Sequence, residues 1–260
     1  MKNKNKIIKK NIFYINENFH KIDKKRIIKS INRSKFVILR GLFQKKEIKK
    51  TLNLIKKKFK HKNDKIRPKG KYDLIKSNYQ RFMFGSTGGL NETNPRFFRI
   101  FYNPLWSNDI YRGKNILLKL NRLQNFFYNL EENYGVVKSK KPTRHGLFVA
   151  SRFQHYPSGG GFLAPHFDLG AIRASKELKL KLHYNLQLVM TKKGEDYKTG
   201  GGYIINKKET ILLDDFTRVG DVVIYSAKTL HGVLDIDPEI FPNLNSSKGR
   251  YIALTTLFKW

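Results

Sequence analysis

From residue 146 onward the hydrophobic pattern of this 260-residue chain has a period of two, after a first half in which the clear apolar stripes have helical spacing. Gly146 to Tyr156 reads as a strand with Arg152, Gln154 and Tyr156 on one face and Ser151, Phe153 and His155 on the other. Further strands are expected at Leu178–Thr191, Tyr203–Ile205, Thr210–Leu213, Asp221–Tyr225 and Tyr251–Phe258. Gly200-Gly201-Gly202 and Val219-Gly220-Asp221 supply tight turns. Short strands parted by glycine turns, with no helix between them, predict a mostly β protein whose core is a jelly-roll, cupin-like double-stranded β-helix with flanking helices.

The first half supplies those helices. Lys24 to Ile31 fits a short one, and the first dozen residues carry no pattern that demands order. Phe36-Val37-Ile38-Leu39 reads as a buried strand ending in a turn at Arg40-Gly41. Ile48, Leu52, Ile55 and Phe59 form the stripe of a helix over residues 45–60, and Ile116, Leu120, Leu123, Phe127 and Leu130 that of a second over 115–133, closed by Tyr134-Gly135. Residues 61–95 are polar and turn-rich without periodicity, as expected of a functional lid or a partly disordered segment. Phe97, Phe98, Phe101 and Trp106 read as core residues rather than a stacking surface for a base. The organisation expected is a basic segment (1–35), a strand and helix layer with a lid (36–145) and a β core (146–260) within one structural domain.

Lys and Arg number 53 against 20 Asp and Glu, a net charge of +33. Such a charge suits a nucleic-acid partner, yet the lysines are spread through expected helices, strands and loops, and only the first sixty residues are dense in them. The abundance of Lys, Ile and Asn also suits an A/T-rich genome, so charge does not favour nucleic acid. There is no cysteine, which removes disulfides, thiolate metal sites and cysteine nucleophiles and suits a reducing compartment. The basic N-terminus has no apolar run behind it, and no stretch of about 20 apolar residues could span a bilayer. The expectation is a cytoplasmic protein away from the membrane; oligomeric state is not legible.

Chemistry concentrates in Tyr156-Pro157-Ser158-Gly159-Gly160-Gly161-Phe162-Leu163-Ala164-Pro165-His166-Phe167-Asp168. Alternation along a strand would send His166 and Asp168 to one face. His231, behind the strand that begins at Gly220-Asp221, can return a second imidazole to the same end. Two imidazoles and a carboxylate make the facial set that holds non-haem Fe(II) with coordination positions open. Arg250 opens the last strand, where a guanidinium can fork onto a carboxylate inside a barrel. His20, His61, His145, His155 and His183 read as surface or internally satisfied histidines, while Gln154, Asn185 and Gln187 face either the pocket or the solvent.

Tyr156-Pro157, the glycines 159–161 and His166-Phe167-Asp168, with Gly200-Gly201-Gly202-Tyr203, Gly220-Asp221 and Leu230-His231-Gly232-Val233, resemble the Fe(II)/2-oxoglutarate-dependent oxygenase superfamily in its prolyl-hydroxylase form. Phe36 to Phe43 followed by a helix resembles the opening of phytanoyl-CoA-hydroxylase-like members. The likeness covers 146–260 well and 36–60 loosely. It implies His166, Asp168 and His231 as iron ligands, Arg250 as the cation that holds 2-oxoglutarate, and Tyr156 as a hydroxyl donor to the same carboxylate. It also implies O2 as co-substrate and hydroxylation of an unactivated C–H bond, with release of succinate and CO2. The spacing from His231 to Arg250 is wider than the family's, because residues 237–248 look like an inserted loop; Arg152 is the alternative cation. Asp168 argues against halogenation, since halogenases of this superfamily give up that carboxylate. A small-molecule substrate is the first expectation. A macromolecular one, for a nucleic-acid demethylase or protein hydroxylase, is the second, although demethylases carry a further arginine where this chain has Thr256. A non-catalytic cupin-like binding protein is the third.

Overall fold

The structure is a computed structural model that describes residues 8–16, 18–60, 63–64, 79–87, 93–136, 146–180, 184–207 and 209–259. Two four-stranded layers make the core. One runs β10 (Val222–Ser226), β7 (Tyr184–Val189), β12 (Gly249–Lys259), β5 (Leu147–Pro157), and the other β6 (Gly161–His166), β11 (His231–Ile236), β8 (Gly201–Asn206), β9 (Glu209–Leu212). Tyr156, Ile252 and Leu254 of the first layer pack against Val233, Ile236 and Leu163 of the second, so the apolar faces that alternation exposes on each sheet bury one another. This is the double-stranded β-helix expected.

Strands from the first half of the chain extend both ends of that scheme. β1 (Ile12–Tyr14) pairs parallel with β2 (Phe36–Arg40), which pairs antiparallel with β10. β4 (Thr93–Tyr102) hydrogen-bonds to β5 through residues 99–102 and to β6 through 96–97, and so joins the two layers; β3 (Tyr79–Thr87) pairs with β4 alone. The helices α1 (Lys24–Ser34), α2 (Lys45–Lys58) and α3 (Lys114–Tyr128) cover the outer face of the first layer. Ile48, Leu52, Ile116, Leu120 and Phe127 there meet Val37, Leu39, Leu186, Ile224 and Ala253 in one cluster.

Four expectations are corrected. The second long helix stops at Tyr128 rather than Asn133, because Asn129 turns left-handed (φ 54) and buried Asn125 donates to the carbonyls of Glu132 and Tyr134, at 2.9 and 3.0 Å, drawing the chain back. The strand expected over Leu178–Thr191 spans Tyr184–Val189, and a helix, α4 (Leu169–Glu177), precedes it. That helix breaks the rule of no helix between the strands; its stripe is only Ala171 and Ala174, too small a hydrophobic signal to read. The aperiodic 61–95 segment contains β3 and the start of β4. Phe82 and Phe84 stack with each other, while Met83 packs against the inner cluster, so apolar side chains on both faces hide the alternation. Other expectations for this segment, including the Arg67-Pro68-Lys69-Gly70 turn, and for His61, His145 and His183 lie outside the described residues. Among the described residues no helix is long and apolar enough to cross a membrane.

Candidate metal centre

His166 ends β6 and His231 begins β11, and the two are direct partners across that antiparallel pair, their rings 4.3 Å apart. The turn before β6 makes this register possible. Gly159 and Gly160 take φ values of +93° and +95°, and a Cβ on Gly159 would lie 2.8 Å from Pro242 Cα, so a side chain there would be strained in backbone and blocked in space.

Asp168 reaches the same point by a different route from the alternation expected. β6 has already ended, and Asp168 is the residue that caps α4 (φ −81°, ψ 72°). Its N–H donates to Ala227 O at 3.0 Å, in the turn that leads into His231. Its carboxylate makes no cap hydrogen bond to the helix and points instead at the two imidazoles. Nε2 of His231 lies 3.2 Å from Oδ2, and Nε2 of His166 lies 3.7 Å from Oδ1. One ligand atom from each of the three residues falls within 4.8 Å of the others.

The remaining ring nitrogens fix which atom each histidine presents. Nδ1 of His166 donates to Ala164 O at 2.9 Å, and Nδ1 of His231 to Thr229 O at 2.8 Å. Both Nε2 lone pairs are thereby left to the centre, the orientation metal-bound histidines require. Burial would raise the Asp168 pKa, but His231, His166 and the amide of Asn185 outweigh it and hold the carboxyl down at about 2. His166 is lowered, by burial first and then by the neighbouring His231. Burial lowers His231 too, yet Asp168 raises it overall. An anion flanked by two imidazoles with aligned lone pairs is a donor set suited to a divalent transition metal.

Three residues stand behind this set: Asn185 and Gln187, which the sequence left open between pocket and solvent, and Tyr225, which it did not single out. Asn185 on β7 donates to Oδ2 of Asp168 and to the hydroxyl of Tyr225 (3.2 Å); the amide of Gln187 also donates to that hydroxyl. The Tyr225 ring packs on His231 with centroids 4.5 Å apart. Asn185 and Gln187 stand two apart on a strand, and that spacing was the available signal: two amides on one inward face need partners inside the barrel.

Arg250 begins β12 opposite Tyr156 of β5. It is buried, and its Nε and Nη2 donate to Asp214 at 2.6 and 3.2 Å. Asp214 also accepts from the Tyr197 hydroxyl. Burial favours the neutral form of Asp214, but the guanidinium prevails and holds its pKa below the usual range. Nη1 of Arg250 is buried with no hydrogen-bond partner. A Cβ on Gly202 would come within 2.6 Å of Arg250 Nη2, so the third glycine of the 200–202 turn is what leaves room for the guanidinium. Tyr156 lies with its ring 5.5 Å from the Arg250 Cζ; its hydroxyl donates to Gln154 at 3.1 Å, and burial pushes its pKa up to about 12.

A cavity of about 270 Å³ opens beside His166 and Asp168. Its wall includes Arg96, Phe98 and Tyr102 of β4, Arg152 and Gln154 of β5, and Thr256 and Phe258 of β12. Gln154 thus faces the cavity, and Arg152 lies on the cavity wall while Arg250 does not. Phe97, Phe98 and Phe101 are core residues, as expected. His20 is exposed, whereas His155 is fully buried, stacked on Tyr251 at 4.2 Å and bonded through Nε2 to Lys248 O.

No family model matches the chain, and no curated protein resembles it in sequence. Solved structures do resemble it. A prolyl hydroxylase from Trichoplax adhaerens, in complex with a peptide fragment of the hypoxia-inducible-factor oxygen degradation domain, superposes with a TM-score of 0.53 at 12% identity over 91% of this chain and 89% of its own. A Pseudomonas putida prolyl-4-hydroxylase gives 0.50 at 11% identity over 91% and 98%. The fold is that of the prolyl hydroxylases. A 2OG-Fe(II) oxygenase-family oxidoreductase from Burkholderia pseudomallei also matches, with a TM-score of 0.46 at 10% identity over 95% and 94%.

Proposed function

We propose that the chain is a non-haem Fe(II)- and 2-oxoglutarate-dependent dioxygenase that hydroxylates an unactivated C–H bond of a small molecule. The observation that carries this reading is the convergence of His166, Asp168 and His231 with both Nε2 atoms turned inward. Those three side chains would hold Fe(II) on one face and leave the opposite face for co-substrate and O2. The bound iron and 2-oxoglutarate together supply the oxidising power, with succinate and CO2 as the co-products. The protein's own residues do the rest. The Ala164 and Thr229 carbonyls keep each imidazole in the Nδ1–H tautomer, and Asn185 fixes the rotation of the Asp168 carboxylate. Arg250 would meet the distal carboxylate of 2-oxoglutarate through its unpartnered Nη1, and the Tyr156 hydroxyl would become a second donor by turning its proton away from Gln154. Asp214 holds that guanidinium in place but also offsets its charge, so the contact is a directed hydrogen bond rather than a bare cation. Presence of the carboxylate at Asp168 favours hydroxylation over halogenation.

The adjoining cavity of about 270 Å³ suits a small molecule as well as one side chain of a larger one, and the small molecule is the reading taken. Absence of cysteine suits a reducing, cytoplasmic setting. Anaerobic titration with Fe(II) and 2-oxoglutarate tests the reading: a weak visible charge-transfer band is expected in the wild type, with succinate released across a panel of metabolites in air. His166→Ala and Asp168→Ala should each abolish the band. Persistence of the band in both variants refutes the ligand set.

A further inference from the structure

Two arginines, Arg96 on β4 and Arg152 on β5, stand on the wall of the cavity beside His166 and Asp168, and among the described residues Asp168 is the one acid on that wall. Arg152 is the more telling. It donates through Nη1 to Ala150 O at 3.0 Å and to Thr256 Oγ1 at 3.2 Å, and its guanidinium lies 5.5 Å from the ring of Phe258. Among the described residues no carboxylate lies within ion-pair distance of it, whereas the half-buried Arg40 and the buried Arg99 and Arg250 are each matched by an aspartate. A guanidinium partly withdrawn from water beside aromatic and aliphatic side chains is costly unless an anion meets it.

Asp168 acts on Arg152 through space but does not meet that need by contact, because its oxygens are directed to the imidazoles and Asn185. Nor does a co-substrate seated on Arg250. Arg152 is opposite Leu254 on the β5–β12 ladder, while Arg250 is opposite Tyr156. Four residues of extended strand separate the two positions by about 13 Å. Each end of this face therefore has its own cation.

We propose that Arg152 recognises an oxyanion, a carboxylate or phosphate group, on the substrate. The chemistry of the wall then describes the rest of that molecule. Arg152 forks onto the anion, Thr256 holds the fork, and Gln154, Tyr102 and Asn94 offer polar contacts. Met83, Phe98, Leu163 and Phe258 leave an apolar surface for the hydrocarbon between the anion and the metal. The substrate class is a small acid with an apolar body, held by its charged end while a C–H bond faces the iron centre.

This inference rests on the oxygenase reading only for calling the bound acid a substrate, and its test separates the two. The full-length metal-free protein is heated at fixed ionic strength with matched pairs: aliphatic and aryl carboxylic acids (acetate to 3-phenylpropionate) against their primary amides, and phenyl phosphate against phenol. At least one acid should raise Tm where its neutral partner does not. That difference should vanish in Arg152→Met and survive in part in Arg152→Lys. Comparison within pairs removes the general attraction of a +33 protein for anions. The carboxylate and phosphate arms distinguish the two oxyanions. Absence of any acid-selective shift, or its persistence in Arg152→Met, overturns the proposal. A second arm titrates the ferrous protein with 2-oxoglutarate. Arg152→Met should leave the midpoint nearly unchanged, and Arg250→Met should raise it by about tenfold or more. Weakening by Arg152→Met alone would make Arg152 the co-substrate anchor and overturn the assignment. Absence of the band in wild type refutes the oxygenase reading and leaves the heating experiment to be judged by itself.

Discussion

The side-chain amide of Asn185 donates to one oxygen of Asp168, the same oxygen that lies 3.2 Å from His231 Nε2. A carboxylate held in this way cannot rotate freely away from the two imidazoles, so β7 steadies a cluster whose two imidazoles come from the opposite layer. Asn185→Ala should keep all three ligands yet bind Fe(II) about 10- to 100-fold more weakly. Anaerobic titration with Fe(II), or with Co(II) as a spectroscopic substitute, measures this. An unchanged midpoint would show that Asn185 has no positioning role.

Arg250 and Asp214 are both buried, and removal of one strands the other. Asp214→Leu should destabilise the protein by about 3–5 kcal/mol, and the double variant Asp214→Leu/Arg250→Met should recover most of that loss. Denaturant unfolding checks both figures. Because the folded-state pKa of Asp214 lies below its unfolded value, the pair's contribution is complete at neutral pH and is lost as pH falls through the folded pKa.

His155 gives a second acid-side signature. Burial, with Arg99 and Lys56 nearby, lowers its pKa to about 3 although its bond to Lys248 O opposes this. The unfolded chain takes up a proton near pH 6.5 and the folded chain does not, so stability should fall by about 1.4 kcal/mol per unit as pH drops from 6.5 toward 3. His155→Phe should remove that slope while costing some stability at pH 8, as read from denaturant midpoints at several pH values.

Gly202→Ala places a methyl 2.6 Å from the Arg250 guanidinium, which Asp214 prevents from yielding freely. The variant should fold, bind Fe(II) normally and need about tenfold more 2-oxoglutarate to develop the charge-transfer band. Equal midpoints for Gly202→Ala and wild type would count against Arg250 as the anchor.

Much of the barrel was legible because period-two alternation and glycine turns act locally. The sequence placed β5, β8, β9, β10 and β12 to within a few residues. His166, Asp168 and His231 were legible for a chemical reason, since two imidazoles and a carboxylate beside strand ends have few structural uses in common. The illegible parts depend on contacts distant in sequence. Asp214 stands in a short helical turn with no pattern around it, and only the fold brings it to Arg250. Asn185 could have faced solvent or interior until β7 was registered against β10 and β12. The shared face of Arg152, Gln154 and Tyr156 was readable, but the distance that separates Arg152 from Arg250 required the ladder between their strands.

β4 is stitched to β5 at one end of its length and to β6 at the other. Arg96 and Phe98, which help enclose the cavity, therefore sit on the seam that closes the barrel rather than on a swinging flap. Exchange of those two side chains would recut the cavity wall without disturbing the hydrogen bonds that hold their strand on both edges.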